Sequence, residues 1–190
     1  MKNPPVKAGM FLVAAPGLRD PNFSRTVVLM CDHSPEGSMG LVVNRPAGIT
    51  TEVLLPEVGV EDMVYTGGPV ERGKAMVLHR QPETVEGSLE VVDGIHLGGD
   101  PEALRELFHH PSGTKDPEGR PAFWRVYLGY AGWGEGQLDA ELESGGWIVC
   151  PAQAGYVFAM DPGEVWKQVL CDLGQEYEFL AGLPMDPSMN

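Results

Sequence analysis

The sequence predicts an α+β fold built on a mixed β-sheet, and three observations support this prediction. Several short apolar runs lack alternation of polar and apolar residues, which is typical of strands buried on both faces. Some runs are joined by tight turns and others by helical segments, which favours a mixed sheet over a doubly wound parallel one. No repeat or long linker divides the 190 residues. We therefore expect one domain over residues 1–190, with a loose leader at 1–8 and an irregular tail at 175–190.

The first three strands form the predicted centre of the fold. They are Met10–Ala15, Thr26–Cys31 and Met39–Val43. The intervening segment Asp20–Arg25 is predicted to be a short helical turn, because Asp caps helix starts and Pro fits the first helical position. The β-branched residues that follow return the chain to a strand. We predict that the second and third strands pair as a buried central hairpin.

The middle of the chain contains short elements. We predict a short helix at Thr51–Leu55 and strands at Val64–Thr66, Ala75–His79, Ser88–Val92 and Ile95–Leu97. The last two strands flank Asp93-Gly94, a strong signal for a two-residue hairpin turn. Asp100 and Pro101 then begin a helix with one apolar face.

The last third of the chain mixes strands, helices and glycine-rich loops. Residues 110–121 are expected to form a mobile loop, followed by a strand at Phe123–Leu128 and a loop at Gly129–Gly136. We then predict a helix at Glu135–Ser144, strands at Trp147–Cys150 and Tyr156–Ala159, and a helix between Asp161 and Gly174.

The composition restricts the possible partners. The net charge of −14 repels phosphate groups, so nucleic acid and anionic membrane surfaces are disfavoured as direct partners. No apolar run reaches the length of a transmembrane helix, and the short apolar stretch near the N-terminus is a poor signal peptide. The three cysteines have apolar neighbours, as free thiols in a reducing compartment do. We expect a cytoplasmic protein.

Motifs with a defined chemistry are absent from the sequence. There is no phosphate-binding loop, no dinucleotide fingerprint, no nucleophile elbow, no zinc-binding C-x-x-C and no H-E-x-x-H. Cys31 and His33 are two residues apart and are predicted to share one face of a strand. They could be a buried thiol and a strand-end histidine, a nucleophile and its base, or half of a metal site. We expect no cofactor and no metal, and we assign no catalytic residues.

Polar residues at strand ends and glycine-rich loops are the candidate binding residues. Asn44 and Arg45 could hold an anionic or polar ligand, or Asn44 could satisfy loop backbone groups while Arg45 is solvated. The loops containing Gly67, Gly68 and Gly132 could bring backbone close to a ligand, or could serve turns and tight packing. Trp133 and Gln137, four residues apart, could form a pocket wall and a specificity group, or Trp133 could pack on the sheet.

Several segments resemble the signatures of the YqgE/AlgH family of bacterial proteins. They are Ala14–Val28, Gly40–Pro46, Gly67–Val70 with Leu78-His79, Leu128–Trp133 with Gly136–Leu138 and Glu141, Trp147, and Leu183–Asn190. The resemblance covers nearly the whole chain in order. Tyr130, Trp133, Gln137 and Glu141 match the family pattern and are kept as candidate pocket residues.

The resemblance implies a fold and only a general function. The fold it implies is a curled, branching sheet, partly closed into a barrel, with helices packed around it. The family it points to is cytoplasmic, has no established reaction, and has one branch named as a regulator of transcription that affects alginate synthesis. The lack of any Lys/Arg run in this chain makes direct contact with DNA a poor expectation.

Two functions from different classes remain open at this point. The first is a non-enzymatic regulatory or adaptor module that binds a small ligand or a protein partner and affects transcription indirectly. The second is a hydrolase-type enzyme in which Arg25, His33, Asn44 and His79 meet in one polar cleft at the ends of the central hairpin. The relative positions of these four side chains distinguish the two.

Overall fold

A computed structural model describes residues 4–115, 121–158 and 161–181. The strands in this part of the chain are β1 (Met10–Ala14), β2 (Val27–Ser34), β3 (Gly37–Val42), β4 (Pro46–Thr50), β5 (Met63–Thr66), β6 (Val70–His79), β7 (Leu89–Val92), β8 (Ile95–Leu97), β9 (Thr114–Lys115), β10 (Pro121–Ala122), β11 (Trp124–Gly134) and β12 (Trp147–Pro151). The helices are α1 (Thr51–Leu54), α2 (Pro101–Phe108), α3 (Gln137–Glu143), α4 (Ala154–Phe158), α5 (Pro162–Asp172) and α6 (Gln175–Ala181), with a single 3₁₀ turn at Pro56–Val58.

The main sheet is curled, mixed and branched, as predicted. Its strands follow the order β12-β1-β2-β3-β11-β6-β8-β7, and β4 and β5 leave this path at β11. All paired strands are antiparallel except β5 and β11, which run parallel. The curl brings β7 back towards the start of β1, where a Cβ on Gly9 would lie 2.8 Å from the carbonyl oxygen of Val91. The sheet is thus a half-barrel with helices packed around it.

The central hairpin of β2 and β3 supplies much of the core. Leu29, Met30 and Leu41 are fully buried, as the apolar runs predicted. Burying side chains of this size stabilises the fold by about 1.5–3 kcal/mol each. The register between the strands shifts at Cys31, the extra residue of a β-bulge. Cys31 is buried and His33 is exposed near the end of β2, which agrees with the alternative of a buried thiol and a strand-end histidine.

The sheet branches around β11. Tyr127 pairs with Tyr65 of β5 on one side and with Met76 of β6 on the other, so the connection from β5 to β6 must pass across β11. It does so at Gly67-Gly68, where a Cβ on Gly68 would lie 2.1 Å from the carbonyl carbon of Tyr130. These glycines therefore allow two backbones to touch, which is the packing alternative set out above.

The predicted loop at Gly129–Gly136 is wrong over most of its length. The strand β11 continues through it to Gly134 and pairs with β3 from Ala131 onwards. The glycines suggested a loop because they are depleted in strands, but here they serve a bulge and the crossing of the β5–β6 connection.

Two further predictions about the C-terminal part are wrong. The segment predicted as a strand at Tyr156–Ala159 is the helix α4 in its described part, and Ala159 lies outside the described residues. Its last carbonyl groups, those of Val157 and Phe158, accept hydrogen bonds from the Arg125 guanidinium, which satisfies the helix end. The predicted tail is helical at Gln175–Ala181, and 182–190 lie outside the described residues.

Other differences are smaller. The strand β4 was missed, because its backbone pairs with β5 without an alternating apolar pattern. The ends of the predicted mobile loop, β9 and β10, pair with each other, and residues 116–120 are outside the described part. The predicted helix starts at Asp100 and Asp161 are confirmed, since each carboxylate accepts backbone N–H groups of the first turn.

Candidate functional site

Asn44 and Arg45 hold the 20–25 loop against the end of the central hairpin. The side-chain oxygen of Asn44 accepts the N–H of Val27 at 2.9 Å, and its amide nitrogen donates to the carbonyl of Arg25 at 3.0 Å. The Arg45 guanidinium donates to three carbonyl oxygens of the loop, those of Pro21, Asn22 and Ser24. Both side chains are thus engaged with backbone.

The environment of Arg45 matches this bracing role. Partial burial lowers the pKa of the Arg45 guanidinium, and the nearby Asp20 carboxylate opposes that shift. The guanidinium remains charged, because its ordinary pKa is far above neutral. Its donors bind three backbone oxygens of one loop with charge-assisted hydrogen bonds, so Arg45 stabilises the loop.

The Glu141 carboxylate of α3 accepts hydrogen bonds from three side chains, those of Trp133, Gln137 and Trp147. One carboxylate oxygen accepts the indole N–H of Trp133 at 2.9 Å and that of Trp147 at 2.8 Å. The other accepts the amide of Gln137 at 3.0 Å. Gln137 in turn accepts the N–H of Gly134 at 3.1 Å, which ties α3 to the end of β11. The indole of Trp133 is only 5% exposed, so this group is a structural network.

The chain also forms an open groove beside the tip of the central hairpin, which we call the hairpin groove. It has a volume of about 620 Å³. It is lined by Asp32, Ser34, Glu36, Gly37, Ser38, Met39, Val70, Lys74, Met76, Tyr130, Gly132 and Trp133. Its lining therefore comes from β2, β3, β6 and β11 and from the turn between β2 and β3.

The floor of the hairpin groove follows the sheet register. Met39 lies opposite Asp32 on one side and opposite Gly132 on the other, so these residues form a row across three strands. The ring of Tyr130 packs over Gly132, where an added Cβ would lie 3.1 Å from the ring. Gly132 thus makes room for the half-buried Tyr130. The Lys74 ammonium lies 6.0 Å from the centroid of the Tyr130 ring.

One wall of the hairpin groove is a wide bulge of β6. Val70 lies opposite Tyr130 and Ala75 opposite Leu128, so residues 71–74 face only one residue of β11. All four are exposed, and Glu71 has a left-handed backbone with φ of 47°. Lys74 forms an ion pair with Glu71 at 3.3 Å and faces the groove.

The other wall carries negative charge. Asp32 and Glu36 line it together with Ser34 and Ser38. Hydrogen bonds from Ser34 and from its own backbone lower the pKa of the exposed Glu36 carboxyl below its ordinary value, so this group is ionised at neutral pH.

A second, smaller cavity lies on the opposite side of the hairpin tip, with a volume of about 330 Å³. His33, Ser38 and Asp139 contribute to its lining. His33 and Ser38 are cross-strand partners, and the Nδ1 atom of His33 lies 2.8 Å from the Ser38 hydroxyl. This contact links β2 to β3 near the turn.

Comparisons with known proteins agree with this fold. A family model described as AlgH-like matches residues 11–178. The chain belongs to the AlgH-like family. A UPF0301 protein of Chlorobaculum tepidum is 37% identical over 186 residues, which cover 97% of this chain and 96% of that protein. A UPF0301 protein of Rhizobium rhizogenes is 38% identical over 180 residues, covering 87% and 86% of the two chains.

Two solved structures resemble this AlgH-like chain along almost its full length. The solution structure of the AlgH protein from Pseudomonas aeruginosa has a TM-score of 0.68 and 30% identity, covering 97% of this chain and 98% of that one. The crystal structure of a protein from Corynebacterium diphtheriae has a TM-score of 0.77 and 25% identity, covering 96% and 95%.

The AlgH-like fold does not bring together the four residues of the predicted hydrolase cleft. His33 lies six residues beyond Val27, the first residue of β2, which is about 20 Å of strand, and Arg25 lies two residues before that start. His79 is fully buried and its Nε2 atom donates to the carbonyl of Gly98 at 2.8 Å. Asn44 donates its amide N–H to the backbone carbonyl of Arg25, which ties down the loop and forms no cleft with His33 or His79.

The remaining candidate residues lie in the hairpin groove, in the smaller cavity or in packing contacts. Tyr130 and Gly132 line the hairpin groove, and His33 lines the smaller cavity behind the same tip. Arg25 lies with its guanidinium 5.2 Å from the ring centroid of Trp166. The sequence reasoning missed two apolar residues of the groove, Met39 and Met76. Each was assigned to a strand, but a methionine in a strand has no pattern that distinguishes a groove floor from the core.

Within the described residues, no group of three or more His, Cys, Asp or Glu side chains is arranged to hold a metal ion. No described helix has both the length and the apolar character needed to cross a membrane.

Proposed function

We propose that this AlgH-like protein is a non-enzymatic binding module whose ligand site is the hairpin groove. The observation that carries the proposal is the half-buried apolar floor of Met39, Met76, Val70 and Tyr130 between charged walls. Apolar floors with a few placed polar groups are typical of binding sites. The groove is open, whereas enzymes commonly enclose a substrate to exclude water during the reaction. The open shape therefore suits binding.

The bracing of the surrounding residues supports the same proposal. Asn44 and Arg45 form hydrogen bonds that fix the 20–25 loop, and Glu141 forms hydrogen bonds that fix the Trp133–Trp147 pair. They stiffen the scaffold next to the groove, and a rigid site loses less entropy when a ligand binds. Through such binding the protein would act on its partner, and any effect on transcription would be indirect.

Methionine methyl groups provide a direct test. The protein is labelled with ¹³C at its methionine methyls and titrated with a pool of small polar and apolar fragments and a pool of random peptides. We expect ligands from at least one pool to shift the Met39 and Met76 resonances, because both side chains lie on the groove floor. Met63 is the internal control, since it is 47% exposed but does not line the hairpin groove.

The resonances are assigned by Met→Leu substitution at each position. A response at Met63 equal to that at Met39 and Met76 would indicate non-specific apolar contact and would contradict the proposal. The absence of any response to both pools would contradict it as well.

A further inference from the structure

The shape of the hairpin groove favours a chain-like occupant. The groove crosses β2, β3, β11 and β6, a distance of about 14 Å, since neighbouring strands lie about 4.8 Å apart. Four residues of extended polypeptide span this length. An open groove of this kind leaves both ends free, so a segment within a longer protein can lie in it.

The floor of the groove suits peptide side chains of varied form. Met39 and Met76 present thioethers, which are flexible and polarisable and recur on surfaces that accept different peptides. Tyr130, held over Gly132, adds a rigid aromatic surface with little loss of side-chain entropy.

The charges of the groove select the kind of segment. Asp32 and Glu36 form one wall, whereas the one basic residue among the lining side chains, Lys74, is ion-paired with Glu71. The groove is therefore acidic at the hairpin end and close to neutral at the β6 end. The whole chain carries a charge of −14, which attracts basic partners over longer distances and repels phosphate-bearing ligands.

We infer that the occupant of the hairpin groove is an extended segment of a partner protein that contains a lysine or arginine. The basic side chain binds Asp32 and Glu36, and apolar side chains of the same segment pack on Met39, Met76 and Tyr130. This inference rests on the proposed function and adds the class of partner and the direction of its charge.

A peptide selection tests the inference with the full chain. Random dodecapeptides displayed on phage are selected on the immobilised protein, and the enriched peptides are synthesised for affinity measurements. We expect enrichment of Lys or Arg next to apolar residues, and affinities that fall between about 0.05 and 0.3 M sodium chloride, because partly exposed ion pairs are screened by salt.

Charge substitutions locate the contact. The double variant Asp32→Asn/Glu36→Gln should weaken binding of the selected peptides about five- to tenfold, as expected for two partly exposed ion pairs. The control is Glu83→Gln/Glu86→Gln, which removes the same charge from a different acidic concavity lined by these residues and Asp100. This control should leave the affinity unchanged.

The outcomes separate this inference from the proposed function. Peptides that shift the Met39 and Met76 methyls but lack basic residues, and are insensitive to the Asp32/Glu36 change, would overturn the inference and leave the binding module intact. An equal loss in both double variants would show general attraction to an acidic protein and would overturn it too. Concentration-dependent shifts of these methyls without peptide would identify a second copy of the chain as the occupant, which also overturns it.

Discussion

Phe23 stacks on Trp133 with 6.1 Å between the ring centroids and 21° between the ring planes. The same phenylalanine meets the edge of Trp147 at 5.4 Å. Phe23 belongs to the loop held by Arg45, and both tryptophans bind Glu141. The two bracing networks are therefore joined through one side chain, and segments far apart in sequence form a single cluster.

Replacing Glu141 by Gln should destabilise the protein by about 2 kcal/mol, because two indole N–H groups and the Gln137 amide lose a charged acceptor. Urea unfolding followed by tryptophan fluorescence measures this change. Glu143→Gln is the control on the same helix, where the side chain is exposed and the change should be within about 0.5 kcal/mol. Equal stabilities for the two variants would contradict the role given to Glu141.

Arg45→Lys should loosen the 20–25 loop while retaining the positive charge. A lysine cannot reach three carbonyl groups with a planar fork, so we expect a loss of about 1–3 kcal/mol and faster hydrogen exchange at Phe23 and Ser24, whose N–H groups bond to Asp20 within the loop. Arg105→Lys on the exposed face of α2 is the matched control. Unchanged exchange in Arg45→Lys would show that charge alone holds the loop.

His79 should make the protein less stable in mild acid. Burial lowers the pKa of His79; the hydrogen bond to Gly98 raises it, and the nearby His96 lowers it further. The unfolded chain therefore binds this proton more readily than the folded one, and its contribution to stability, full above about pH 6.5, is lost as the pH falls from there towards the folded-state value. Urea unfolding between about pH 7.5 and about pH 5 should show this decline.

His79→Gln should flatten that pH dependence, whereas His33→Gln, at an exposed position, should retain it. A decline of the same size in His79→Gln and in the wild type would assign the effect to other groups.

The sequence predicted the central hairpin and the capped helices because these depend on local signals. These signals act within a few positions of the chain: continuous apolar runs in β2 and β3, and Asp-Pro pairs at the starts of α2 and α5. The helix α4 was predicted as a strand, because the donor that satisfies its last carbonyls, Arg125, lies more than thirty residues earlier.

The candidate site was predictable only in part, for a similar reason. Asn44, Arg45 and Glu141 were singled out as polar residues, but their partners could not be predicted. Those partners lie on other segments, and a hydrogen bond between distant segments produces no recognisable residue spacing in the sequence. The hairpin groove depends on which side chains share one face after the bulge at Cys31 and the bulge at residues 71–74. Bulges shift the strand alternation by amounts that a periodic pattern does not reveal.

The three cysteines should differ sharply in reactivity. Burial raises the pKa of Cys31 to about 12 and that of Cys150 to about 11, whereas Cys171 is only half-buried. Because the thiolate is the reactive form, a disulfide reagent at mildly alkaline pH should modify Cys171 first and the other two only on unfolding in urea. Cys171→Ser should remove the fast phase, and a fast phase that persists in this variant would contradict the burial of the other two.

Two glycines close to each other in the chain should differ greatly in their tolerance of the same substitution. A Cβ at Gly68 would lie 2.1 Å from the carbonyl carbon of Tyr130 and 2.3 Å from the nitrogen of Ala131, both backbone atoms of β11. Neither strand can move away without breaking the branch of the sheet, so Gly68→Ala should cost at least about 4 kcal/mol or prevent folding. At Gly73 no atom lies within 4 Å of an added Cβ, so Gly73→Ala should change stability by less than about 1 kcal/mol. Thermal unfolding followed by circular dichroism, with the soluble yield of each variant, measures both effects, and a Gly68→Ala protein as stable as Gly73→Ala would show that the β5–β6 connection does not cross β11 at this contact.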